Sequence, residues 1–149
     1  MKKIFIINLL LLLLISCGGG SKKNEAADGT ITLRFATWDT GEALNIQKEI
    51  AKKFEEKNPN IKIQVEAYGD GFDQKLVAAF GAKDAPDVMY MWDFPTYRSS
   101  LEDLNTYIEK DNSVDMKDFY EGLMNYVQLD GKTYGIPAGF TTHVIYYNK

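Results

Sequence analysis

The chain has 149 residues, 17 of them basic and 21 acidic, with a formal net charge of −4. One cysteine and one histidine exclude a disulfide framework and a metal cluster built from those residues. An acidic chain whose only exposed basic run is Lys22-Lys23 is a poor nucleic-acid binder.

Lys2 and Lys3 precede an apolar run from Ile4 to Ile15, about the length of a secretory h-region. The run is short for a membrane span and carries Asn8, so a cleaved signal is expected rather than a permanent transmembrane helix. Leu14-Ile15-Ser16-Cys17 resembles the lipobox of bacterial lipoproteins. That resemblance implies a signal peptide over 1–16, with Cys17 acylated as the mature N-terminus and tied to the membrane by lipid. Without Lys2 and Lys3 the balance is 15 basic against 21 acidic residues, or −6. Residues 17–29 then form a tether, its GGGSKKNEAADG stretch reaching roughly 20 Å root-mean-square as a flexible chain.

From Thr30 about 120 residues remain, enough for one domain with a core. Ile31 to Thr37 alternates apolar and polar residues and predicts a strand. A helix is predicted from Glu42 to Lys57, with Ala43, Ile46, Ile50, Ala51 and Phe54 as its inner stripe. Asp39 or Thr40 is expected to cap it, Asp39 and Glu42 having capping-box spacing, and Asn58-Pro59 to end it. Ile61 to Ala67 alternates again as a second strand, broken by Tyr68-Gly69-Asp70-Gly71. Phe72, Leu76 and Phe80 mark a second helix ending near Gly81, and Asp87 to Met91 reads as a buried parallel strand. Strand, helix, strand, helix, strand with short connections predicts right-handed βαβ units and an α/β fold with a mainly parallel sheet flanked by helices. Helices are expected over Tyr97–Tyr107 and Met116–Tyr126, a hairpin turn at Leu129-Asp130-Gly131-Lys132, and a strand over Thr142–Asn148.

The three parallel strands run into Trp38-Asp39, Tyr68-Gly69-Asp70 and Trp92-Asp93. In βαβ units all carboxyl ends share one edge, and ligands bind in the crevice outside it. An aromatic face beside a carboxylate suits a sugar, whose CH face lies on the ring while its hydroxyls donate to the acid. A hydrogen bond to a charged acceptor contributes roughly 1.5–3 kcal/mol. Singly, each residue has a plainer reading: Asp39 as a cap, Asp70 as a turn residue, either tryptophan as core.

TWDTGEALNIQKEIAKKFEEKNPNIKIQVE, then KLVAAFGAKDAPDVMYMW and GKTYGIPAGFTTHVIYYNK, resemble the N-terminal part of family 1 extracellular solute-binding proteins. These are lipid-anchored receptors of ATP-driven (ABC) sugar importers, a group similar to maltose-binding protein. The likeness covers nearly all of residues 30–149. It implies a periplasmic-binding-protein-like type II fold of two α/β lobes joined at a hinge. Of these the chain would supply most of the N-terminal lobe, the second lobe missing, so that taken alone it would bind weakly or not at all. It also implies ligand contacts at Trp38, Asp39, Trp92 and Asp93, and at Phe140, Thr141 and Thr142, with Tyr68 and Asp70 secondary because the second strand lies at the sheet edge. Maltose-type members can carry an acid where Thr141 stands, so this pocket departs from theirs. The implied partners are a small-molecule sugar and membrane permease subunits, for a monomer at the outer face of the cytoplasmic membrane or in the periplasm. No cofactor or metal is expected, and the chain has no Gly-Lys-Ser/Thr phosphate loop.

Three other classes compete. A cell-surface glycosidase-like lipoprotein needs one carboxyl in an apolar pocket, and Asp39, Asp70 and Asp93 stand in polar, turn-like contexts. A receptor for another solute, such as ferric ion or a polyamine, draws on Tyr146-Tyr147; adjacent strand residues point to opposite faces, so one tyrosine in each layer of core is expected instead. A purely structural lipoprotein would show no ligand-dependent tryptophan fluorescence.

Overall fold

The first strand, β1 (Ile31–Thr37), and β2 (Ile61–Ala67) pair in parallel, Ile31 opposite Ile61 and Thr37 opposite Ala67. This computed structural model describes residues 26, 28–111, 113–141 and 144–149. The signal segment, Cys17, most of the tether, Thr142 and His143 therefore lie outside the described residues. With β3 (Val88–Met89) the strands form a sheet of order β2-β1-β3, so β2 is an edge strand as expected. The apolar positions of β1 and β2 face one way because side chains alternate along a strand.

The chain divides into two compact units. The first holds the described residues up to Lys75 with Pro86–Val88. Here α1 (Gly41–Lys57) joins β1 to β2 and packs on β2. Its bounds agree with the predicted helix, but its inward line does not. Ala51 is buried and Leu44, Gln47 and Glu55 are half-buried, whereas Ile46, Ile50 and Phe54 of the predicted stripe are exposed. Three hydrogen bonds accompany this rotation. Glu55 accepts from the Ile63 N–H at 2.8 Å and from Lys62 Nζ at 3.1 Å, and Gln47 donates to Asp39 at 2.8 Å. An edge strand has outward N–H groups without ladder partners, and Glu55 supplies one.

The predicted cap is also corrected. Thr40 is the N-cap in extended conformation and no side chain caps the helix, the Asp39 carboxylate being engaged by Gln47 instead.

After β2 the chain makes a 3-10 turn at Gly69–Gly71 and enters α2 (Phe72–Gly81), as its spacing predicts. Ala36, Thr37 and Phe72 are buried in the first unit. The predicted strand over Asp87–Met91 shortens to Val88–Met89, and Val88 is exposed, not buried. Its position at the other edge of the described sheet explains the exposure. Pro86 has no N–H to give, and the Asp87 carboxylate, not backbone, accepts from the Arg34 N–H of β1 at 2.8 Å.

The second unit holds 76–85 and 89–149. The predicted helix Tyr97–Tyr107 is two pieces: α3 (Phe94–Tyr97) followed by a 3-10 turn Arg98–Ser100, then α4 (Asn105–Lys110). Leu101 is extended, and Asp103 restarts the helix by accepting from the Asn105 N–H at 3.1 Å. Met116–Tyr126 likewise splits into a 3-10 turn at Met116–Asp118 and α5 (Glu121–Tyr126), with Phe119 and Tyr120 extended between them. The hairpin is found as predicted: β4 (Gln128–Leu129) pairs antiparallel with β5 (Lys132–Thr133), Asp130 and Gly131 having φ of 53° and 76°. Positive φ at both central residues is the primed turn that matches strand twist. The hairpin is clipped to α4 by Leu104 N–H to the Thr133 carbonyl and Asn105 Nδ2 to the Gly131 carbonyl, both 2.8 Å.

Phe94 is buried in this unit with Leu76 and Thr133, edge-on to Tyr126 and stacked on Tyr134, each with ring centroids 6.0 Å apart. The predicted last strand is not observed. Residues 144–149 carry no strand, and Tyr146 and Tyr147 are both exposed instead of sharing two core layers. No described strand pairs with them, and an extended segment without a neighbour gains no ladder bonds.

Candidate ligand-binding site

In the first unit the parallel register brings the exits of β1 and β2 together. The Tyr68 N–H donates to the Thr37 carbonyl at 2.9 Å, extending the ladder one step beyond the strands. Trp38 therefore emerges beside Tyr68, with Phe72 between them. The Trp38 indole meets the Phe72 ring edge-on at 5.2 Å, and Phe72 meets Tyr68 at 5.8 Å. Trp38 is 40% exposed while Phe72 is 5% exposed, so one ring is offered to solvent and the other supports it. Edge-to-face aromatic pairs contribute about 0.5–1.5 kcal/mol beyond buried area.

Asp39 is held at two points. Its N–H donates to the buried Thr37 hydroxyl at 3.0 Å, and its Oδ2 accepts from Gln47 Nε2 at 2.8 Å. Gly69 keeps the two exits close: its φ is +57°, and a Cβ there would lie 3.4 Å from the Thr40 methyl. The positive φ, more than the space, favours glycine there.

Tyr68 plays another part. Its hydroxyl donates to Glu66 Oε2 at 2.9 Å, its carbonyl accepts from Lys75 Nζ at 3.2 Å, and that ammonium lies 5.4 Å from its ring centroid. Burial, then the hydrogen bond to Glu66 and its charge, pushes its phenol above the usual range. Tyr68 thus serves as a support in this unit. Asp70 is exposed within the 3-10 turn.

In the second unit Trp92 is 59% exposed, and its carbonyl accepts from the Tyr126 hydroxyl. Asp93 stands at the N-cap of α3 without capping it, its Oδ2 accepting from the Thr96 hydroxyl at 2.6 Å. Neither tryptophan is core. Phe140 is exposed and meets Tyr120 edge-on at 6.5 Å, and Thr141 is exposed. Thr142 lies outside the described residues.

Sequence reading missed Phe72 and Gln47 as parts of the site. Phe72 reads only as helix periodicity, and Gln47 stands eight residues from Asp39, at no spacing that a local motif records. Among the described residues no three acidic, histidine or cysteine side chains are grouped to hold a metal ion.

A parallel α/β sheet with polar and aromatic groups at the strand exits is the fold of type II periplasmic binding proteins, the class to which the solved structures similar to this chain belong. The chain belongs to the bacterial extracellular solute-binding protein family, whose profile matches residues 37–149. It is 30% identical over 109 residues to an uncharacterised ABC transporter extracellular-binding protein of Pyrococcus horikoshii, covering 72% of this chain and 26% of that one. An ABC substrate-binding protein of Listeria monocytogenes, solved in complex with cycloalternan, is similar at 28% identity and a TM-score of 0.64 over 71% of this chain and 28% of its own. The sugar-binding protein MalE of Xanthomonas citri is similar at 27% identity and a TM-score of 0.60, over 71% and 28% respectively. The chain thus spans about a quarter of the length of these relatives.

Proposed function

We propose that this chain is part of a lipid-anchored extracytoplasmic solute-binding protein that delivers a mono- or oligosaccharide to an ABC importer. In this reading residues 1–16 are the signal, Cys17 carries the lipid, 17–29 are the tether and 30–149 form most of the N-terminal lobe. The observation that carries the reading is the half-exposed Trp38 indole, held on edge by Phe72, next to a carboxylate oriented by Gln47. An indole face takes the apolar side of a sugar ring while Asp39 accepts from its hydroxyls, each such bond contributing about 1.5–3 kcal/mol. Trp92, Asp93, Phe140, Thr141 and Thr142 are proposed as further contacts. The cycloalternan complex of the Listeria relative and the sugar-binding description of the Xanthomonas one support a carbohydrate over a metal or polyamine.

The protein is proposed to act as a monomer at the outer face of the cytoplasmic membrane or in the periplasm. Sugar would favour its closed form, which the permease reads, because only differential affinity shifts such a balance. Asp39 and Asp93 accept bonds from neutral donors in partly exposed settings, which suits binding more than acid catalysis. Titrating the full-length protein that includes this chain with cycloalternan and maltotriose, followed by tryptophan fluorescence and product analysis, tests both points. Saturable quenching or enhancement without hydrolysis is expected. Turnover would replace the receptor reading with a glycosidase, and no fluorescence change with either sugar would remove the carbohydrate reading.

A further inference from the structure

We infer that Gln47 is the positioning residue for the Asp39 carboxylate, an inference that rests on the carbohydrate reading of Asp39. Asp39 stands on the short connection between β1 and α1, where an acid without a partner samples several rotamers. Its backbone is fixed from below by the fully buried Thr37 hydroxyl at 3.0 Å. Its side chain is fixed from the helix by Gln47 Nε2 at 2.8 Å on Oδ2. Between the two residues the chain enters α1 at Gly41, where φ is +56°.

The chemistry of the donor matters. A neutral amide orients a carboxylate without cancelling its charge, so the acid keeps its strength as an acceptor for ligand hydroxyls. A lysine or arginine in that place would pair with the charge and compete with those hydroxyls. Gln47 is half-buried on the inward line of α1, so the helix that packs on β2 also aims the acid. Gln47 lies inward, with this bond made, where the apolar stripe predicted Ile46 and Ile50.

The test is a set of variants in the full-length protein that includes this chain, with cycloalternan and maltotriose as probes and circular dichroism to check folding. Asp39→Ala and Gln47→Ala should each weaken binding by about tenfold, and Gln47→Ala should add nothing in an Asp39→Ala background. Gln47→Glu keeps the shape but sets two carboxylates against each other, which raises the apparent pKa of one of them. At pH 8 it should bind like Gln47→Ala. Near pH 5 a shared proton restores a donor to Asp39, so its affinity should recover at least fivefold while wild type shows no such gain. A merely structural glutamine would not produce that pH reversal. Loss of binding in Asp39→Ala with none in Gln47→Ala, or Gln47→Glu binding like wild type at pH 8, overturns the positioning role alone. Failure of wild type to bind either sugar, or an Asp39→Ala variant that binds as wild type does, overturns the carbohydrate reading of Asp39 itself, and the inference with it.

Discussion

Glu66 is bonded to three side chains in the first unit. It accepts from Arg34 Nε at 2.6 Å and Nη2 at 3.1 Å, from the Tyr68 hydroxyl at 2.9 Å and from Gln64 Nε2 at 3.1 Å. The Arg34 guanidinium holds its carboxyl below the ordinary glutamate range; partial burial opposes this, and the Tyr68 hydroxyl adds to the lowering. A depressed folded-state pKa means that the unfolded chain binds the proton more readily. The stabilisation is therefore complete above the unfolded value of about 4.3 and is lost as pH falls through the lower folded value. Glu66→Gln should lower stability at pH 7 and flatten the acid limb of a denaturation-midpoint profile below about pH 5. An acid limb as steep as in wild type would show that other carboxylates control it. Because Tyr68 packs on Phe72 and Phe72 on Trp38, this ion pair also braces the aromatic shelf.

At the scale of elements, the β4–β5 hairpin depends on two residues in the left-handed region, Asp130 and Gly131. Nothing lies within 4 Å of a Cβ added at Gly131, so Gly131→Ala should cost backbone strain alone, about 1–2 kcal/mol. Because the Leu104 N–H is bonded to the Thr133 carbonyl, the loss should appear as roughly 5–30-fold faster exchange of the Leu104 amide. Unchanged exchange would mean that the turn tolerates alanine. The hairpin, β1, β2, α1 and α2 were all legible in the sequence, since alternation, helix spacing and an Asp-Gly dipeptide are local signals. The breaks at Leu101 and at Phe119-Tyr120 were not. Their apolar spacing continues through the break, and only the Asp103 bond to Asn105 and the extended backbone of these residues interrupt the helices.

For the whole molecule, the proposed anchor makes a separate prediction. Cys17→Ala in the full-length protein should block acylation and shift the protein from the membrane fraction to the soluble fraction of the cell envelope. The proposed sugar response of Trp38 and Trp92 should stay as in wild type, since in this reading a tether of about 12 residues separates the lobe from its anchor. A wild-type protein that takes up no labelled fatty acid at Cys17 would sink the lipobox reading.

The order of strands and helices as far as β3, the β4–β5 hairpin, the parallel class of the sheet and the family likeness were determined by the sequence, because periodicity and turn chemistry act over a few residues. Trp38 and Asp39 were named from it as candidates for the same reason: they follow a strand whose end could be read. Which side of α1 lies inward, that Phe72 supports Trp38, that Gln47 holds Asp39 and that Tyr68 is bound to Glu66 were decided only by tertiary structure. Those contacts join residues brought together by packing and register, and sequence periodicity does not record them.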